Sequence, residues 1–272
     1  MFTLSHRDPM SLPPRPSLSA VPSVTSATVA ALRRQIERLE GGAQARAPLP
    51  FGIAGLDDHL PGGGLARGAL HEAVEAGPAA EFAGSATLFT AGIATRLEGP
   101  VLWCLTRRDL FAPGLAAAGL VPGRIIYAEA GRDREVLPLV EEGLRERGLA
   151  AVVGEVTRLS LIASRRLQLA AEASGVTALL LRRWWTVAEK DLAALPSAAV
   201  TRWRIAPAAT EPAPAPAPGL GRVQWQVDLV RCRGGAPRSW ILEAYDATGR
   251  LALPASLARR PDQTPIRRAA AQ

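Results

Sequence analysis

Residues 51–72 read FGIAGLDDHLPGGGLARGALHE. Three consecutive glycines, Gly62, Gly63 and Gly64, predict a tight turn ahead of Leu65, because a sharply reversing backbone favours residues without a Cβ. Gly68 then opens an apolar run, Leu70–Glu75, so the stretch is a turn feeding a strand. From there the pattern alternates. Short apolar runs recur at Val101–Thr106, Arg124–Ala130, Ala150–Val156 and Thr177–Leu181, with helix-compatible stretches at about 84–98, 109–118, 133–147 and 158–174. In the last of these Leu159, Ala163, Leu167 and Ala170 share one face, while Arg158, Arg165 and Glu172 line another. Strands that are apolar on both faces, separated by helices, predict an α/β fold: a mostly parallel sheet flanked by helices.

Beyond residue 200 the period changes. Thr201–Pro207 and Val223–Arg233 alternate as half-exposed strands do, followed by Ser239–Asp246 and a short Arg250–Leu253. Gly234-Gly235 and Ala247-Thr248-Gly249 read as turns, which predicts an antiparallel β-hairpin extension. A Pro/Ala-rich loop, 207–219, separates the first two of these strands and suits a semi-rigid spacer. Upstream, residues 1–25 are rich in Pro and Ser and read as a disordered tail. A separate N-terminal amphipathic helix then starts at Ser26, carries Val29, Leu32, Ile36 and Leu39 on one stripe, and ends at Gly41-Gly42. Its tether runs to residue 49, the main domain spans 50–255, and 256–272 is a basic tail containing Arg259, Arg260, Arg267 and Arg268.

Composition narrows the class. With 272 residues and 48% hydrophobic residues, a large core can form, and a chain disordered throughout is excluded. Two cysteines, Cys104 and Cys232, are too few for a disulfide scaffold and imply a reducing, cytoplasmic setting. No apolar run reaches the roughly 20 residues that span a bilayer, so no membrane partner is expected. The net charge of +7 rests almost wholly on arginine, Lys190 being the only lysine. That bias fits a GC-rich genome writing Arg for Lys, so it is modest evidence for a polyanionic partner.

The match at Gly52, Gly55, Leu56, Asp57, Leu60, Gly62–Leu65, Gly68 and Glu72 resembles the core of RecA-like proteins, where such a stretch leads into the first strand. Over residues 27–255, including WILEAYDATGRLALPA at 240–255, the chain is similar to the ImuA family, RecA-like accessory proteins of damage-inducible mutagenesis and translesion synthesis. In nucleotide-binding RecA-like proteins the first strand feeds a G-x-x-x-x-G-K-[ST] loop that holds phosphates and magnesium. The corresponding EAGPAAEFAGSATL, residues 75–88, offers Gly77, Gly84, Ser85 and Thr87 but no lysine, so the P-loop reads as degenerate. At the end of the second strand, where an active ATPase carries a glutamate, stand Thr106, Arg107 and Arg108. The Walker B-like strand AAVVGEV ends near Glu155 where the family usually has Asp, and a helix-cap or ion-pair role suits it better than metal binding.

No other catalytic constellation stands out. His6, His59 and His71 are the only histidines, neither cysteine has zinc-ligand spacing, and Ser160 and Ser164 have no histidine base nearby in sequence. Neither an enzyme nor a cofactor or metal is expected, although residual ATP binding stays open. The fifth strand runs into Arg182, Arg183, Trp184 and Trp185, at the edge where ligands dock on parallel sheets. By the resemblance, the loop here approaches DNA, giving weak, non-specific binding by arginine and aromatic side chains. Equally, Trp184 and Trp185 suit a cap on the core, with the two arginines solvated.

The resemblance implies a non-catalytic scaffold in DNA repair and the SOS response, nucleoid-associated. Its partners would be an ImuB-type Y-family-like protein and an error-prone replicative-type DNA polymerase. The stripe Val29, Leu32, Ile36 and Leu39 would dock on RecA or a second copy of the chain. Two alternatives remain open at this point: a RecA-like ATPase or recombinase with an unusual P-loop, and a regulatory inhibitor of cell division.

Overall fold

A computed structural model of the chain describes residues 46–184, 195–210 and 222–254. The Ser26 helix with Val29, Leu32, Ile36 and Leu39, together with Trp185, Lys190 and the tail arginines, lies outside them. Residues from Arg46 onward belong to one unit.

Its elements run α1 (Ala54–Asp57), β1 (Leu70–Glu75), α2 (Ala79–Thr95), β2 (Val101–Leu105), α3 (Ala112–Ala117) and β3 (Ile125–Glu129). They continue with α4 (Asp133–Gly143), β4 (Ala151–Val156), α5 (Leu161–Ser174), β5 (Thr177–Arg182), β6 (Thr201–Ala208), β7 (Gln224–Cys232) and β8 (Arg238–Glu243). The strands form one sheet in the order β3-β2-β4-β5-β1-β6-β7-β8. Pairing is parallel from β3 through β6 and antiparallel from β6 to β8. The expected Arg250–Leu253 strand is reduced to a single bridge between Ala252 and Glu243.

The two faces of the sheet hold separate cores. On the α4–α5 side Leu70, Cys104, Val140, Val152, Leu167 and Leu180 pack together, so Cys104 is a core residue. The α2 side is aromatic. Phe89 of α2 sits 6.3 Å from Phe51, 5.7 Å from Trp203, 6.4 Å from Trp225 and 6.0 Å from Tyr245, ring centre to ring centre. That cluster recruits residues from both ends of the described chain.

The 51–72 stretch folds as its composition requires. Gly62 and Gly63 take φ of 77° and 81°, the left-handed region that β-carbons disfavour. Asp57 is structural: its carboxylate accepts from the backbone N–H groups of Phe51, Gly52 and Ile53 at 2.6, 2.8 and 3.1 Å. Ser160 caps α5, its hydroxyl accepting from Ala163 N–H at 3.1 Å. Among the described residues no helix is long and apolar enough to cross a membrane.

Gly92 fixes how closely α2 approaches the late chain. A Cβ there would stand 2.1 Å from Tyr245 Cδ2. Gly92→Ala should therefore force the buried ring aside and cost about 1–3 kcal/mol, read as a lower urea midpoint. An unchanged midpoint would mean the ring has room to move.

Candidate functional site

The carboxyl ends of β1, β4 and β5 lie side by side, because β5 pairs with both neighbours in parallel. They bring together charged side chains that strands buried on both faces would ordinarily exclude: Glu72, Glu75, Glu155 and the Arg182–Arg183 pair. Side chains alternate across a strand, so Glu72 and Arg182 fall on one face while Glu75 and Arg183 fall on the other.

On the α2 face Arg183 is the hub. Its Nε donates to Glu155 Oε2 at 2.8 Å, and one terminal nitrogen donates to Glu75 Oε1 at 2.9 Å and Thr87 Oγ1 at 3.0 Å. Glu155 Oε1 accepts from Trp103 Nε1 at 2.8 Å. The second oxygen of Glu75 accepts from Trp184 N–H at 2.7 Å, and the Trp184 carbonyl accepts from Ala79 N–H at 2.9 Å at the start of α2. Burial pushes the Glu75 carboxyl above its ordinary range, against the pull of Arg183 and the Trp184 N–H. Arg183 is only 4% exposed.

The opposite face holds a second cluster. Glu72 Oε2 accepts from Arg182 at 3.2 Å and from Arg202 Nε at 3.0 Å, and its other oxygen accepts from Ser197 Oγ and from Arg202 at 3.3 Å. Arg182 also donates to the Thr157 carbonyl at 3.0 Å, and Arg202 to the Leu195 carbonyl at 2.7 Å. Arg182 Nε has no partner and the residue is wholly buried, which lowers its proton affinity.

Arg182 and Arg183 therefore need a correction. One reading of the sequence turns them to DNA and the other to solvent, yet both are buried and ion-paired, because β5 extends to Arg182 and carboxylates from β1 and β4 hold both cations inside. Trp184 is half-buried, and Trp185 lies outside the described residues.

The expected phosphate loop also takes another form. Only residues 76–78 join β1 to α2, so α2 starts at Ala79 rather than near 84. Gly84, Ser85 and Thr87 consequently sit within the helix, and of the expected loop residues only Gly77 remains in the connection. An eight-residue phosphate-wrapping loop has no room there. Glu155 is an ion-pair residue, as its sequence context favours. Among the described residues no group of three or more His, Cys, Asp or Glu could hold a metal ion.

The chain is 40% identical over 217 residues to Protein ImuA of Caulobacter vibrioides, in each of two strains, covering 77% of this chain and 88% of that protein. It belongs to the ImuA family. No family profile matches it. The fold of this ImuA-family chain is similar to that of the RadB recombinase, with a TM-score of 0.53 and 16% identity, over 76% of this chain and 99% of that one. At that identity the likeness is one of fold, and the fold is RecA-like.

Sequence reasoning missed both ion clusters in this ImuA-family chain, although a signal was present. Glu72 and Glu75 stand in LHEAVE, a strand whose every residue is buried. A carboxylate in such a strand demands a cation, and Leu181-Arg182-Arg183 and Thr201-Arg202 were the available sources.

Proposed function

We propose that this chain serves DNA-damage-inducible mutagenesis as a RecA-like accessory protein that hydrolyses no nucleotide and acts by docking polymerase-like partners. The observation that carries the first half is Arg183. Its guanidinium is bonded to Glu155, Glu75 and Thr87 in the space between α2 and the carboxyl ends of β1 and β4. Two carboxylates surround that one cation, so a triphosphate would add negative charge where anions already outnumber cations. The amino end of α2, which would otherwise attract a phosphate, is bonded by the Trp184 carbonyl. Family membership supports the second half: the partners are a Y-family-like protein and an error-prone replicative-type polymerase, with RecA or a second copy as a further one.

One observation favours an ATPase with arginine in place of the missing lysine, since Arg183 does supply a cation at this site. Its bonds to Glu155, Glu75 and Thr87 argue against it, because each would have to break before a phosphate could bind. The purified chain should show ATP turnover well below about 0.1 per second, with or without DNA, in a steady-state phosphate-release assay. DNA-stimulated turnover at or above that rate would sink the accessory reading. Co-purification with the Y-family-like protein tests the docking half, and its absence at micromolar concentrations would count against it.

A further inference from the structure

Next to Arg183 an open cleft of about 340 Å³ separates α2 from the β2–α3 connection. Ala80, Ala83 and Gly84 form one wall, Asp109, Leu110 and Phe111 the other, and Thr87 and Arg183 lie at the base. Phe111 is 72% exposed, an unusual setting for a phenyl ring. The polar groups at the base already bond one another, so an incoming charged group finds little unmet there, whereas a flat apolar face finds a ring to stack on.

Outside the cleft the same sheet edge carries exposed arginines on neighbouring strand ends. Arg107 and Arg108 follow β2, Arg132 and Arg134 follow β3, and Arg158 follows β4. Adjacent strands lie about 4.8 Å apart, so the connections that carry these cations leave the sheet side by side. Among the described residues Arg132, Arg134 and Arg158 make no ion pair. Arg107 and Arg108 contact Asp109 at 3.5 Å and Glu129 at 2.8 Å, exposed pairs that exchange readily for a phosphate. The nearby acids Asp133 and Glu135 are turned to the backbone, accepting from Thr157 N–H at 2.9 Å and Gly131 N–H at 3.1 Å.

A stacking face beside a group of cations fits a chain of flat rings joined by anions. We infer that this edge binds single-stranded DNA, with one base against Phe111 in the cleft and the backbone crossing Arg108, Arg132, Arg134 and Arg158. The cations that meet the backbone are distinct from the buried Arg182 and Arg183, and the proposal goes beyond the accessory role without depending on it. A single strand is preferred over a duplex, whose base faces are stacked internally. Binding is weak and salt-sensitive, because acids share the edge.

Fluorescence anisotropy of the full chain with a labelled oligothymidylate and a duplex of equal length, over a salt series, tests this. The single strand should bind more tightly. Phe111→Ala should weaken single-strand binding about tenfold and leave its salt slope alone, since stacking releases no counterions. Arg132→Ala with Arg134→Ala should reduce the slope by about 1.4, or about 0.7 for each phosphate no longer neutralised. Arg145→Ala with Arg147→Ala, at the opposite end of the sheet, should change neither; circular-dichroism melts confirm that each variant folds. Absence of binding, equal affinity for the duplex, or affinity indifferent to Phe111 overturns the proposal. If the Phe111 and arginine changes disrupt a protein complex while the oligonucleotide never binds, the edge is a protein-docking surface and the proposal is wrong.

Discussion

Glu72→Leu should cost about 3–5 kcal/mol of folding stability, measured by urea unfolding. The carboxylate is wholly buried and pairs with both Arg182 and Arg202. Removing it takes a shared counter-charge from two guanidiniums in a low-dielectric interior, where arginine cannot shed its proton to escape. A folded domain is stable by about 5–15 kcal/mol, so this single change takes a large share. Combining it with Arg182→Met and Arg202→Met should return most of the loss, because a buried ion cluster replaced entirely by apolar groups is often neutral. A loss under about 1 kcal/mol from Glu72→Leu would mean that water reaches the arginines and that the cluster is not a closed one.

Acidification should produce the second large effect. His71 is buried with Nδ1 2.7 Å from Thr201 Oγ1 and Nε2 2.7 Å from the Ala66 carbonyl. The carbonyl accepts only, so Nε2 carries the hydrogen and Nδ1 accepts from the Thr201 hydroxyl, which itself accepts from Trp203 Nε1 at 2.8 Å. Burial lowers the His71 pKa from 6.5 to about 4. The folded state thus binds the proton less readily than the unfolded chain does. Stability from this group is complete above pH 6.5 and falls as the pH drops from 6.5 towards 4, by about 3 kcal/mol in all. His71→Gln, which does not titrate, should flatten the thermal-midpoint curve between pH 7 and 4.5 relative to the unaltered chain. Parallel curves for the two proteins would show that His71 is not the group responsible.

Much of the fold was legible because a parallel sheet writes itself as apolar runs. The runs at Leu70–Glu75 and Ala150–Val156 match β1 and β4 to within a residue. Other features depended on distant contacts. Nothing local shows that β6 pairs with β1 in parallel, because its alternating exposure suits an antiparallel strand equally well. The early start of α2 is hidden when residues 75–88 are read as a loop, although Pro-Ala-Ala-Glu at 78–81 is a competent helix start. For the site, the absence of a lysine from residues 75–88 was legible in the sequence, while the pairing of Arg183 with Glu155, Glu75 and Thr87 was not. A β5 that ends at Leu181 leaves both arginines on a loop, and one further residue of strand turns Arg182 and Arg183 to opposite buried faces.

The aromatic cluster also bears on the order in which the chain can fold as it is made. Phe51 and Phe89 are synthesised early, but the rings that cover them, Trp203, Trp225 and Tyr245, belong to the last strands and the stretch after β8. A nascent chain ending before residue 245 would carry α2 with one apolar flank open to water. Such a ribosome-bound intermediate exposes sticky surface and waits for contacts of long sequence separation, the slowest kind to form. Folding of this domain should thus be completed only after translation, with chaperones holding the unfinished α2 side. Carboxy-terminal truncations short of Tyr245 should aggregate rather than yield a smaller folded core.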